Sequence, residues 1–202
     1  MNRQLPRLHA ITNDKVLALP DFQARASQVV SMPATALHIR SGSLDGRQLT
    51  HLAASLQQAT DKGAVFVNDR ADVAKIVNAT GLHLPAAGLS VDGARTIVGT
   101  TCWIGRSAHT AEEVIRAADE GADYAFLGPI WTTPSHPDTQ PLGPGVLAVD
   151  TSIPVIAIGG ITPEKVQQCL VNGAYGVAVI SALWSAPHVA STVRDLSLSF
   201  PL

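Results

Sequence analysis

Pro154-Val-Ile-Ala-Ile158 is an aliphatic run, and Gly159-Gly160-Ile161-Thr162-Pro163 follows it directly. The next segment, Glu164 to Asn172, places Val166, Cys169 and Leu170 at helical spacing and stops at Gly173. A second apolar run, Gly176-Val-Ala-Val-Ile180, then ends at Ser181. Short runs without polar alternation are strands buried on both faces, as in a parallel sheet covered by helices. Thr162-Pro163 suits a helix start, where a missing N–H costs nothing. Residues 154–181 therefore spell one strand–helix–strand unit with a glycine pair at the strand's carboxyl end.

The same alternation continues outward in both directions. Further strands are predicted at Leu8–Thr12, Thr35–Arg40, Ala64–Asn68, Leu82–Leu84, Trp103–Arg106 and Asp123–Leu127. Helices are predicted at Asp21–Ser31, Leu44–Lys62, Ala71–Ala79, Val91–Ile97, Ala111–Glu120, Pro163–Asn172 and Val189–Leu196. Thr110-Ala-Glu-Glu113 has the capping-box pattern, and Thr162 is the expected cap of the helix opened by Pro163. Eight such units either close as a barrel or lie open. No G-x-G-x-x-G follows the first strand, so the dinucleotide-binding open sheet has no support. No composition shift divides the chain. The expected architecture is α/β: a single (β/α)8 TIM barrel domain over residues 1–202, near the lower size limit of about 200 residues for that fold.

Composition narrows the function classes. The 202 residues hold 14 Lys and Arg against 16 Asp and Glu, a net charge of −2. That balance argues against nucleic acid as a partner, because such affinity rests on clustered cations. A hydrophobic share of 46% with 15% charged residues excludes disorder. Cys102 and Cys169 are too few for a disulfide scaffold and lack zinc spacing. No leader pattern and no uninterrupted membrane-length run is evident, so a cytoplasmic protein with no membrane partner is expected. Apolar outer helices are compatible with a homo-oligomer.

A barrel carries its site at the carboxyl ends of its strands. The polar residues there are Thr12, Asn13, Arg40, Asn68, Asp69, Arg70, His83, the Arg106–His109 stretch, Gly159, Gly160 and Ser181. Gly159 and Gly160 let backbone N–H groups approach an anion, and Ile180-Ser181 lies at the neighbouring strand end, where barrels recurrently bind phosphate. The competing reading is a plain tight turn. His109 can both take and give a proton, or it is a surface residue beside a helix start. Asp69 and Asp72 read either as a carboxylate pair or as helix-start acids. The Pro-rich loop Thr132–Leu142, which contains His136, reads as a stiff segment over the rim.

These strand ends resemble the thiamine phosphate synthase/TenI family. The resemblance is carried by Leu8-His-Ala-Ile-Thr12, Leu37-His-Ile-Arg40, Val67-Asn-Asp-Arg70, Gly105-Arg-Ser-Ala-His109, Ala122-Asp-Tyr124, Gly128-Pro-Ile130, Ile158-Gly-Gly-Ile161 and Val177-Ala-Val-Ile-Ser181. It implies a (β/α)8 barrel and one of two activities. The synthase couples a pyrimidine methyl diphosphate to a thiazole phosphate with Mg2+, releasing pyrophosphate. TenI is a thiazole tautomerase that aromatises a carboxythiazole phosphate without metal or cofactor. The sequence departs from the synthase pattern at three places. Arg40-Ser41-Gly42 stands where the synthase has Arg-Glu-Lys, Gly88 stands where it has a metal-binding Asp, and Thr133-Pro134-Ser135-His136 stands where it has Thr-x-Thr-Lys.

Those losses point to the tautomerase as the first expectation, with His109 catalytic. Arg40, Asn68, Arg106, Ser107, Gly159, Gly160, Ile180 and Ser181 are then the substrate-binding residues for a small phosphorylated thiazole. No metal is expected; Asp69 is a ligand, and Mg2+ a requirement, only under the synthase reading. A non-catalytic thiazole phosphate-binding regulator is the remaining alternative.

Overall fold

A computed structural model of the chain describes residues 4–59, 63–133 and 138–200. Eight strands run β1 Leu8–Ile11, β2 Thr35–Ile39, β3 Ala64–Asn68, β4 Gly81–Leu84, β5 Trp103–Ala108, β6 Tyr124–Leu127, β7 Val155–Ile158 and β8 Gly176–Val179. Each pairs in parallel with the next, and β8 pairs with β1, so the sheet closes as a barrel. The helices among the described residues are α1 Asp14–Leu17, α2 Phe22–Val30, α3 Gly46–Gln58, α4 Ala71–Ile76, α5 Val91–Val98, α6 Ala111–Asp119, α7 Pro163–Val171, α8 Ser181–Trp184 and α9 Val189–Ser197. The expected (β/α)8 barrel is thus observed.

Strand parity divides the core in two. Outward residues such as Leu8, Ala10, Leu37, Ile39, Val65, Val67, Leu82 and Leu84 pack under the helices. Inward residues Ile11, Ala36, Phe66, Tyr124, Phe126, Ile156 and Ala178 fill the barrel. His9, His38 and His83 are buried there too. Phe66, Tyr124 and Phe126 fill the inside, and small residues make room for them. A Cβ on Gly105 would lie 2.0 Å from Tyr124 Cζ, and one on Gly81 would lie 2.1 Å from Phe66 Cε1. Both glycines sit directly across the ladder from the ring they accommodate.

Two expectations need local correction. Strand β5 reaches Ala108, because its ladder to β6 continues to the Ala108–Leu127 pair. Helix α4 stops at Ile76 rather than Ala79, where Asn78 takes a left-handed φ of 49°. The four-residue helices α1 and α8 were not legible as helices.

Candidate active site at the barrel mouth

The carboxyl ends of the strands gather most of the candidates. Thr12 Oγ1, at the end of β1, accepts from the Arg40 N–H at 2.9 Å and donates to the Arg40 carbonyl at 3.0 Å. This fixes the backbone of Arg40 while its side chain is exposed. Among the described residues its guanidinium has no hydrogen-bond partner, and its charge is one of the influences that depress His83. The following turn is occupied internally: the Asp14 carboxylate accepts from Ser43 Oγ at 2.8 Å, from Ser41 Oγ at 2.5 Å and from the Gly42 N–H at 3.2 Å. Those hydroxyls hold the Asp14 pKa down at about 2.

At the end of β3, Asn68 is half-buried and Asp69 is exposed. Asp69 takes a left-handed φ of 64°, with its N–H donating to the His83 carbonyl at 2.9 Å. A non-glycine residue there carries strain that the surroundings must hold in place, a feature that clusters at functional sites. Its carboxylate lies near Gly88, where a Cβ would sit 3.7 Å from Oδ1 and 3.1 Å from Pro85 Cγ. Asp72 does not join it, because Arg70 donates to both Asp72 carboxylate oxygens, at 2.8 and 2.6 Å. The pairing of Asp69 with Asp72 as a metal site is therefore corrected: the second acid is neutralised outside the mouth. No group of three or more His, Cys, Asp or Glu suited to a metal occurs among the described residues.

Beneath the mouth lie two polar chains. His83 Nε2 is 2.9 Å from Ser107 Oγ, and its Nδ1 is 3.2 Å from the Tyr124 hydroxyl. His9 bridges the Pro6 carbonyl and His38, and His38 reaches Asn68. Burial pushes His9 and His83 down to about 3 and His38 well below its usual value, because an imidazolium is poorly solvated among Phe66, Tyr124 and Phe126.

Arg106 requires correction as a substrate anchor. It shares the outward parity of Ile104 and Ala108, and donates to the carbonyls of Leu89 at 2.9 Å and Ala86 at 3.0 Å. It braces the β4–α5 loop from outside. Ser107 points inward to His83, and His109 is exposed just past the strand. His109 Nδ1 lies 2.8 Å from the Gly128 carbonyl. A carbonyl only accepts, so the neutral ring carries its proton on Nδ1 and keeps a lone pair on Nε2. The capping-box acid Glu113 reaches one residue further than expected, to the His109 N–H at 2.6 Å, while Thr110 Oγ1 accepts from the Glu113 N–H. Helix α6 thereby pins the His109 backbone.

The ends of β7 and β8 lie side by side. Gly159 and Gly160 have φ of 99° and 64°, and a Cβ on Gly160 would meet the Thr132 carbonyl at 2.5 Å. Only glycine combines those angles with so close an approach. Among the described residues no backbone acceptor takes the N–H of Gly160 or Ile161. Opposite them, the uncapped start of α8 at Ser181 follows Ile180, which packs partly into the inner core. Thr162 does not cap α7 as expected; its hydroxyl donates to Glu164 at 2.6 Å.

One residue beside this turn was not legible in the sequence. Lys165 donates from Nζ to the Gly160 carbonyl at 2.8 Å and lies over the Trp131 ring, 4.8 Å from its centroid. A lysine in the first turn of a helix opposes the helix dipole, and that misplacement was the available signal. His136 and part of the Thr132–Leu142 loop lie outside the described residues.

A closed barrel of eight parallel strands with helices between them defines the broad class of (β/α)8 proteins. Comparison with known proteins narrows it. Residues 8–183 match the family described as thiamine monophosphate synthase, and the chain belongs to that family. It is 42% identical over 170 residues to the thiamine-phosphate synthase of Methanoculleus marisnigri, covering 81% of this chain and 80% of that one. It is 40% identical over 169 residues to the thiamine-phosphate synthase of Moorella thermoacetica, with 81% and 80% covered. Among solved structures, the thiamine phosphate pyrophosphorylase of Pyrococcus furiosus superposes with a TM-score of 0.82 at 30% identity, covering 96% of this chain and 94% of that chain. No helix among the described residues is long and apolar enough to cross a membrane.

Proposed function

We propose that this chain is a thiamine-phosphate synthase with a lightened grip on the diphosphate. The relatives above carry the synthase name, which moves the coupling reading ahead of the tautomerase expected first. The observation that carries the proposal is Asp69, at the carboxyl end of β3, with its Oδ1 3.7 Å from where a Cβ on Gly88 would sit.

In the reaction, the thiazole ring nitrogen attacks the methylene carbon of the pyrimidine, a C–N bond forms, and the C–O bond to the diphosphate breaks. The chain's residues bind and orient. The N–H groups of Gly160, Ile161 and Ser181 hold the thiazole phosphate, with Lys165 bracing the turn. The exposed Arg40 faces the leaving pyrophosphate with charge-assisted hydrogen bonds. Magnesium characteristically binds through one or two carboxylates together with substrate phosphates. Asp69 alone fits an ion arriving with the diphosphate and does not fit a resident metal cage. Bound there, magnesium supplies charge neutralisation to the leaving group.

The tautomerase stands as a second reading because of His109, whose fixed tautomer leaves Nε2 free to take a proton. An assay with both substrate sets separates them. Magnesium-dependent release of one pyrophosphate per thiamine phosphate supports coupling. Magnesium-independent aromatisation of the carboxythiazole phosphate, without coupling, overturns it. Saturable binding without turnover of either set overturns both in favour of a regulatory binder.

A further inference from the structure

Three consecutive carbonyls at the end of β7 are taken from the β6 side. The Ile130 N–H donates to Ile158 at 2.8 Å, the Trp131 N–H to Gly159 at 3.1 Å, and Lys165 Nζ to Gly160 at 2.8 Å. The first two donors are backbone groups, supplied by the β6–β7 connection whatever its side chains are. The third is a side chain that reaches back from the first turn of α7. Lys165 is half-buried, and its ammonium lies over the Trp131 ring, 4.8 Å from the centroid. Among the described residues it pairs with no carboxylate. Its neighbour Glu164 accepts from the Thr162 hydroxyl instead.

The consequence is directional. In a trans peptide the C=O and the following N–H point opposite ways. The carbonyls of Gly159 and Gly160 are both held toward Trp131, so the N–H groups of Gly160 and Ile161 point away from it, to the side on which β8 ends. The Gly159 carbonyl is fixed by a backbone ladder. The Gly160 carbonyl is not, and glycine offers little torsional resistance to a flip of the peptide that follows it. Such a flip would turn the Ile161 N–H onto Trp131 and put a carbonyl oxygen where an anion is to sit. A charged donor makes the stronger hydrogen bond, and an indole is the best ring to hold an ammonium in place. We infer that Lys165, held over Trp131, is a positioning residue that fixes the Gly160–Ile161 peptide with its N–H toward the ligand phosphate, without itself touching that phosphate. The inference rests on the phosphate assignment proposed above; it adds the side chain that decides the direction of one of the donors.

Proton and 15N spectroscopy of the unaltered chain, with and without inorganic phosphate, tests it beside Lys165→Met, which keeps the stem and removes the ammonium. In the unaltered chain the Lys165 ε-methylene protons are expected to be shifted upfield by the Trp131 ring; random-coil positions overturn the inference whether or not phosphate binds. On adding phosphate the Ile161 amide proton should move downfield while the Lys165 protons keep their ring shift. Loss of that ring shift means the ammonium leaves Trp131 for the anion, and overturns a positioning role. Lys165→Met should weaken inorganic phosphate about tenfold and abolish the Ile161 response while leaving that of Gly160. Lys165→Arg, which also donates and stacks, should stay within about threefold of the unaltered affinity. A folded Lys165→Met protein that binds phosphate as the unaltered chain does overturns the inference. If the unaltered chain binds no phosphate, the functional proposal fails. The Gly160 Hα–Ile161 amide NOE then decides the inference alone: a changed intensity in Lys165→Met supports the lock, and an unchanged one overturns it.

Discussion

Acid should unfold this protein through the three histidines inside its barrel. His9 and His83 are held at about 3 and His38 well below the ordinary 6.5. The charged groups facing them are few: each other, and Arg40 toward His83. Their folded pKa values lie below the unfolded ones, so their contribution is fully present above the unfolded 6.5 and is lost as the pH falls toward the folded values. Each ring then costs about 1.4 kcal/mol per pH unit. At pH 4.5 this amounts to roughly 2.7 kcal/mol each for His9 and His83, roughly 5.4 kcal/mol together, with His38 adding in the same direction, against a whole domain stability of about 5–15 kcal/mol. Asp14, Asp72, Glu112 and Glu164, all depressed by their hydrogen bonds, begin to lose their contribution as the pH falls through their ordinary values of about 4 to 4.5. The window between pH 6.5 and 4.5 therefore isolates the rings. Urea melts followed by circular dichroism should show stability falling by at least about 2.7 kcal/mol per pH unit near pH 5, and His9→Gln should remove one proton from that slope. A stability flat to about 1 kcal/mol between pH 7 and 5 refutes the reasoning.

Three further outcomes follow from the mouth. Gly160→Ala forces a Cβ against the Thr132 carbonyl at a left-handed φ; steady-state kinetics should show the KM for the thiazole phosphate raised about tenfold or more, with the melting temperature lowered by a few degrees, as about 1–2 kcal/mol of strain implies. Gly88→Asp sets a second carboxylate beside Asp69, with Pro85 Cγ at 3.1 Å from the new Cβ as the one neighbour that must yield; the magnesium concentration for half-maximal coupling should fall by about tenfold. His109→Asn should leave coupling within about threefold, since the attacking nitrogen uses its own lone pair, whereas a loss of about 10²–10⁴-fold would restore a proton-transfer role to that ring.

The barrel was legible because its outer core is written in aliphatic runs. Val155–Ile158 and Gly176–Val179 carry no polar interruption, and each helix start follows at a short distance. The mouth was legible where a residue's backbone does the work: Gly159 and Gly160 announce their turn by composition alone. Arg106 misled because β5 was expected to stop there, at the rim. Two more residues of pairing put it mid-strand, and parity then sent it outward with Ile104 and Ala108. His9 and His38 were passed over because a lone histidine carries no signal of its own. Their meaning arises only when β1 and β2 pair and bring Nδ1 within 2.8 Å of Nε2. Helices α1 and α8, four residues each, hold too few periodic positions to register, being made by tertiary packing.

The account turns on whether Asp69 serves the leaving diphosphate. Pyrophosphate release from the pyrimidine diphosphate and thiazole phosphate, measured side by side for the unaltered chain and Asp69→Asn in saturating magnesium, addresses that directly. The unaltered chain should release pyrophosphate in step with thiamine phosphate, and the variant should lose about 10²–10³-fold in kcat/KM while still binding the thiazole phosphate. Equal rates for the two proteins, or no release by either, would contradict it.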